Sequence, residues 1–141
     1  MSAIELSAAP SRWPRVKGVN GVTLTPALWA PELGRLVATK MGRPNFDFTS
    51  RFPQTRQVSF LRQIVWAHLR YGMSTGVGWP TIGKIANRDH TTIISGIRSL
   101  HGRIERDGYF SDRFDDIALE VARVYPCVSD VRHEMALWVN R

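Results

Sequence analysis

The sequence is short of several things, and each shortage removes a class of protein. It has one cysteine, Cys127. A disulfide framework needs pairs and a cysteine-rich zinc site needs a cluster, so neither is expected. The four histidines, His68, His90, His101 and His133, stand at no zinc-ligand spacing with that cysteine. No metal and no cofactor is expected. No run is apolar enough to span a bilayer. The opening MSAIELSAAP lacks the basic start and long apolar stretch of a secretory signal. The expectation is a cytoplasmic protein with no membrane partner. The neighbouring carboxylates Asp115 and Asp116 would point in different directions on a helix, which suits no acid–base pair. No Ser-His-Asp or Cys-His order can be argued either, so the chain reads as a non-enzyme.

Acid is scarcest in the middle of the chain. Between Asp47 and Glu105 the only acidic residue is Asp89, set among Arg51, Arg56, Arg62, Arg70, Lys84, Arg88, Arg98 and Arg103. Such a field attracts phosphate. Lysine is scarce too: sixteen of the nineteen basic residues are arginine, whose planar fork suits phosphate or guanine. The net charge of +7 is unevenly spread, with +10 on residues 1–106 and −3 on residues 107–141. A basic body with an acidic end argues for a nucleic-acid face and a separate far side.

What is present is ordinary for a globular chain: 141 residues, 43% hydrophobic, enough for one domain with extensions. Residues 1–25, with Pro10, Pro14, Gly18 and Gly21, read as a flexible basic arm whose Arg12, Arg15 and Lys17 could touch a DNA backbone. Trp13 in it could pin the arm to the body. Residues 26–41 read as a helix with Trp29, Leu33, Leu36, Val37 and Met41 on one face, ended by Gly42. Residues 58–71 read as another, with a broad apolar side that includes His68. Residues 108–111 read as a break and 112–125 as a helix stopped by Pro126. Residues 126–141 read as a last helix capped by Ser129, either packing on the domain or making a dimer contact, so both monomer and homodimer stay open. Gly78-Trp79-Pro80-Thr81-Ile82-Gly83-Lys84 has phosphate-loop spacing, but Ile85 follows where a Ser or Thr would hold Mg²⁺, and a helix rather than a strand precedes it.

Residues 80–100 organise the rest. Pro80 suits a helix start, Ile82 and Ile85 give a short helix an apolar side, and Asn87-Arg88-Asp89 breaks it. Asp89 can cap a second helix in which Ile93, Ile94, Ile97, Leu100 and Ile104 recur at helical spacing. At about 100° per residue, Thr91, Thr92, Ser95, Arg98 and Ser99 fall on the other face. That small, polar face can lie in a major groove. Lys84 on the first helix and Arg88 at the turn stand where such motifs cross the backbone; with Thr92, Arg56, Ser95 and Arg98 they are the candidate phosphate contacts. The start of the second helix supplies candidate base readers: Asp89 accepting from cytosine N4, His90, and Thr91 with a methyl for thymine. On the helical wheel His90 lies toward the core side, where it would support Asp89. A lone Asp before a helix is also explained as a cap alone.

Arg88-Asp89-His90-Thr91-Thr92 followed by Ile93 resembles the signature of the C-terminal DNA-binding domain (domain IV) of the bacterial replication initiator DnaA. Arg62-Gln63-Ile64 with Ala67 and Leu69 is similar to that family's Arg-Gln helix, and Pro80-x-Ile82-Gly83 to its first motif helix. Leu36-Val37-Ala38 before Gly42, then Phe46-Asp47-Phe48 and a basic loop, echo its opening helix and linker. The resemblance spans roughly residues 33–125. The 72–79 loop is longer than the family's, and Asn87 stands where the family has two glycines. The resemblance implies an all-α domain over residues 26–125 with a central helix-turn-helix, standing without the initiator's ATPase module. It gives Arg62 the place of the family's minor-groove arginine. It implies sequence-specific binding of double-stranded DNA, as a nucleoid-associated transcriptional regulator or modulator of replication initiation, with replication or transcription proteins as further partners. The alternative is a protein-interaction module that keeps the fold without DNA readout and docks a partner around Trp29 or Trp138.

Overall fold

The structure, a computed structural model, describes residues 13–141. The fold is all-α, six helices with one small hairpin among the described residues. β1 is Val16–Lys17, β2 Thr23–Leu24, α1 Pro26–Lys40, α2 Arg56–Tyr71, α3 Trp79–Ala86, α4 His90–Arg106, α5 Gly108–Val124 and α6 Val131–Val139.

Side chains start most of these helices. Thr25, Thr55, Asp107 and Asp130 cap α1, α2, α5 and α6, each oxygen accepting from a backbone N–H of the first turn. Such caps satisfy donors that have no partner inside the helix. Asp107 ends α4 and starts α5 at the same residue. The break expected at 108–111 is therefore a single-residue corner, because the Asp107 carboxylate caps Tyr109 at 2.9 Å and the helix runs from Gly108. Likewise Asp130, not Ser129, caps α6.

α2 is the central helix. Every residue from Phe60 to Leu69 is buried, including Arg62, Gln63 and His68. Burial on all sides follows from its neighbours, since α1, α3, α4 and α6 all pack on it. Trp29 of α1 is fully buried and meets Tyr125 edge-to-face, with centroids 5.6 Å apart; the Tyr125 hydroxyl donates to Glu32 at 2.6 Å. That pair fastens the end of α5 to α1.

Residues 13–25 depart from the flexible arm read for 1–25. Val16 pairs with Leu24 across an antiparallel hairpin, and both side chains are buried in the core. The Arg15 carbonyl accepts from Ser74 N at 3.0 Å. The Trp13 ring is 59% exposed, so hairpin residues rather than the indole hold this segment. Arg12 lies outside the described residues. α6 packs on the domain: Val131 and Met135 are buried, and Trp138 lies against Trp79 at 5.1 Å. The arrangement continues on both sides, with Arg70 4.1 Å over Trp79 and Arg98 4.9 Å over Trp138. Such cation–π contacts favour a fixed α6.

The α3–α4 turn is built on two special positions. Asn87 takes the left-handed conformation, φ 57° and ψ 47°, and caps α3. Asparagine reaches it more readily than most residues. Gly83 allows the close approach: a Cβ there would lie 2.7 Å from the Arg88 carbonyl and 3.3 Å from His90 N. Those atoms are backbone and cannot swing away. Gly83→Ala is expected to cost about 2 kcal/mol, in the range of overpacking. Urea unfolding measures it, with exposed Lys84→Ala as the control that stays within about 0.5 kcal/mol.

Candidate nucleic-acid interface

α4 buries Ile93, Ile97, Leu100 and Ile104 and leaves Thr91, Thr92, Ser95, Arg98 and Ser99 exposed. The polar face is thus set by the apolar stripe opposite it. Asp89 caps this helix, accepting from Thr91 N at 3.3 Å and from the Thr91 hydroxyl. These bonds, the hydroxyl's first, hold its carboxyl below the usual carboxylate range. His90 is on the surface rather than the core side, with Nδ1 3.7 Å from Asp89 Oδ1. The three candidate base readers at the start of α4 are therefore exposed and adjacent.

The exposed face of α4 forms one wall of a polar trough of about 910 Å³. Arg51 and Gln54, from the loop before α2, form the other wall. Gln63, Trp66 and Gly96 make its floor. α4 sits low over α2 because position 96 is glycine: a Cβ there would lie 2.6 Å from the Trp66 ring. Sequence reasoning passed over Gly96, although a glycine inside an otherwise helical pattern signals such close packing. It also singled out neither Arg51 nor Gln54 as a site residue.

The structure moves two arginines inward. Arg62 is only 3% exposed. Its guanidinium donates to the carbonyls of Pro53 at 2.8 Å, Phe52 at 2.9 Å and Asp47 at 3.4 Å. Burial, chiefly, lowers its pKa. A side chain spent this way is not extended toward a minor groove. Arg88 is half-buried and donates to the carbonyls of Ser50 at 2.6 Å, Thr49 at 3.0 Å and Ala86 at 3.1 Å. Desolvation leads the lowering of its pKa as well. Arg88 ties the 47–53 loop to the helix turn, and with Arg62 it also lines the trough. The two arginines hold one loop from two sides, and Asp47 completes it by accepting from Thr49 N at 2.9 Å and Thr49 Oγ1 at 2.6 Å.

The remaining candidates divide. Lys84, Thr92, Ser95 and Arg56 are exposed, Lys84 on α3 and Arg56 at the start of α2. Arg98 is exposed but stacks on Trp138. Trp29, one of the two docking points of the protein-interaction alternative, is fully buried. Among the described residues no group of three or more His, Cys, Asp or Glu could hold a metal ion, and no helix is long and apolar enough to cross a membrane. No family model, curated protein or solved structure matches the chain.

Proposed function

We propose that this chain binds double-stranded DNA sequence-specifically through α4, in the manner of the DnaA C-terminal domain it resembles, and regulates transcription or modulates replication initiation without a catalytic step of its own. The observation that carries the reading is the trough. The part of α4 that lines it presents only Thr91, Thr92, Ser95, Gly96 and Ser99 past the Asp89 cap, and it stands beside Arg51 in the basic middle of the chain. A small polar face fits a major groove, and the loop arginines supply a field for the backbone. Asp89, His90 and Thr91 lie at the helix start, the end that reaches base edges in helix-turn-helix docking.

The test is selection of bound sites from a random duplex pool, followed by titration at several salt concentrations. A sequence motif should emerge, and log K should fall linearly with log salt. Lys84→Ala should weaken all sequences alike and shallow that slope by about one. Salt-independent binding, or no motif, would overturn the reading.

Asp89→Asn separates base reading from capping. Asparagine caps about as well as aspartate, so thermal stability should hold. It also turns an acceptor-only group into a mixed donor and acceptor. Discrimination at one C·G pair should fall by about 1–2 kcal/mol. Unaltered base preferences would leave Asp89 as a cap only.

A further inference from the structure

We propose that the loop before α2 is a minor-groove wedge, with Phe52 entering between base pairs and kinking the duplex toward the major groove. This rests on the DNA-binding reading above.

Phe52 is 73% exposed. A single exposed phenylalanine is commonplace; this one differs in how its backbone is held. The Phe52 carbonyl accepts from Arg62 Nη2 at 2.9 Å and from Ser50 Oγ at 2.8 Å, and its N–H donates to Ser50 Oγ at 3.2 Å. The next carbonyl, of Pro53, accepts from Arg62 Nη1, and the carbonyls of Thr49 and Ser50 accept from Arg88. Main-chain groups on both sides of Arg51, at Thr49, Ser50, Phe52 and Pro53, are thus held while an aromatic ring is left in water.

Its position matters more than its exposure. Arg51 and Gln54 face the trough, whereas Phe52 lies on the far flank of the same loop, beside Asn45 and Pro53. One backbone strand separates the two grooves of a duplex. With that strand in the trough and α4 in the major groove, the crest of the loop stands in the neighbouring minor groove. The loop carries a cation, Arg51, on the side of the strand and, next to it, an apolar ring and a proline on the far side. Proteins that kink DNA from the minor groove combine these: arginine for the groove's negative potential, phenylalanine or proline as the wedge that unstacks one step. The flexible pyrimidine–purine steps TA and CA/TG are the easiest to open, so such a step is expected on the flank of the selected motif.

The experiment uses the full chain and a selected duplex labelled with a donor and an acceptor dye at its ends, with 2-aminopurine placed at the flanking step. Binding should shorten the dye separation, as a bend of some tens of degrees would, and raise 2-aminopurine fluorescence. Phe52→Ala should lose most of both signals and bind roughly tenfold more weakly, with unfolding unchanged because the ring packs on little. Phe52→Leu should keep most of the bend. A duplex that stays straight and stacked under saturating wild-type protein overturns the wedge while leaving the DNA-binding reading intact. Equal bending by Phe52→Ala overturns it as well. Failure to bind any duplex overturns both, and the salt titration identifies that case.

Discussion

Arg62→Ala should cost about 3 kcal/mol of folding stability, and under the proposed DNA binding its loss of affinity should be alike for A·T-rich and G·C-rich flanks. The reason is what the guanidinium touches: three main-chain carbonyls of the 47–53 loop, in a site almost closed to water. Truncation leaves those acceptors without donors and opens space beneath the loop. A buried acceptor stripped of its partner costs about 1–3 kcal/mol, and breaking a buried charged group's contacts sits at the upper end of mutational effects. Arg62→Lys keeps a cation but offers no planar fork, so it should recover only part of the stability. Urea unfolding gives the stability, and hydrogen exchange should show faster exchange across residues 47–53. A variant with unchanged unfolding and a loss confined to A·T flanks would instead return Arg62 to the groove.

Acid should weaken the fold in a window that belongs to His68. This imidazole is 1% exposed, lies against Phe114 with centroids 5.9 Å apart, and donates through Nδ1 to the Ile64 carbonyl at 2.8 Å. Burial opposes its charged form and lowers its pKa to about 4, while the bond to Ile64 works weakly the other way. In the unfolded chain it titrates near its ordinary value of about 6.5. The folded pKa is the lower one, so the unfolded state takes up the proton first. Full stability is present above pH 6.5 and is lost as pH falls toward 4, by about 3 kcal/mol in all. The carboxyls of Asp47, Asp89 and Glu120 are also held low, the first two mainly by threonine hydroxyls and Glu120 by Arg123. Their contributions fade at lower pH, beginning near the ordinary carboxylate values. Urea midpoints between pH 7.5 and 4.5 should therefore fall for the wild type and stay much flatter for His68→Leu. Equal slopes would mean that His68 is not the group responsible.

Sequence and structure agree best where neighbours along the chain decide the outcome. The α3–α4 turn could be read because Ile82, Ile85, Ile93 and Ile97 mark two apolar stripes and Asn87 and Asp89 are local turn and cap residues. The polar face of α4 followed from the same spacing. That Arg62 and Arg88 hold the 47–53 loop is not legible in the sequence, for the opposite reason. Their partners are carbonyls from up to 39 residues away, and a carbonyl leaves no mark in a sequence. Pattern alone makes every arginine in a basic stretch look equally available. The hairpin at 13–25 is hidden because each strand is only two residues long, too short for alternation to show, and the exposed Val19 and Val22 blur the contrast with buried Val16 and Leu24. Arg51 and Gln54 gained meaning only once α4 was seen to sit low over Trp66.

Arg62 and Arg88 grip the loop through main-chain oxygens, and every residue type supplies those. The side chains of Arg51, Phe52 and Gln54 make none of the hydrogen bonds that hold it. They can therefore be exchanged over evolutionary time while the backbone that presents them persists. Substitution of those three side chains changes what the loop presents at little cost to folding, whereas loss of either clamping arginine frees the backbone itself. The loop behaves as a fixed mount with interchangeable tips.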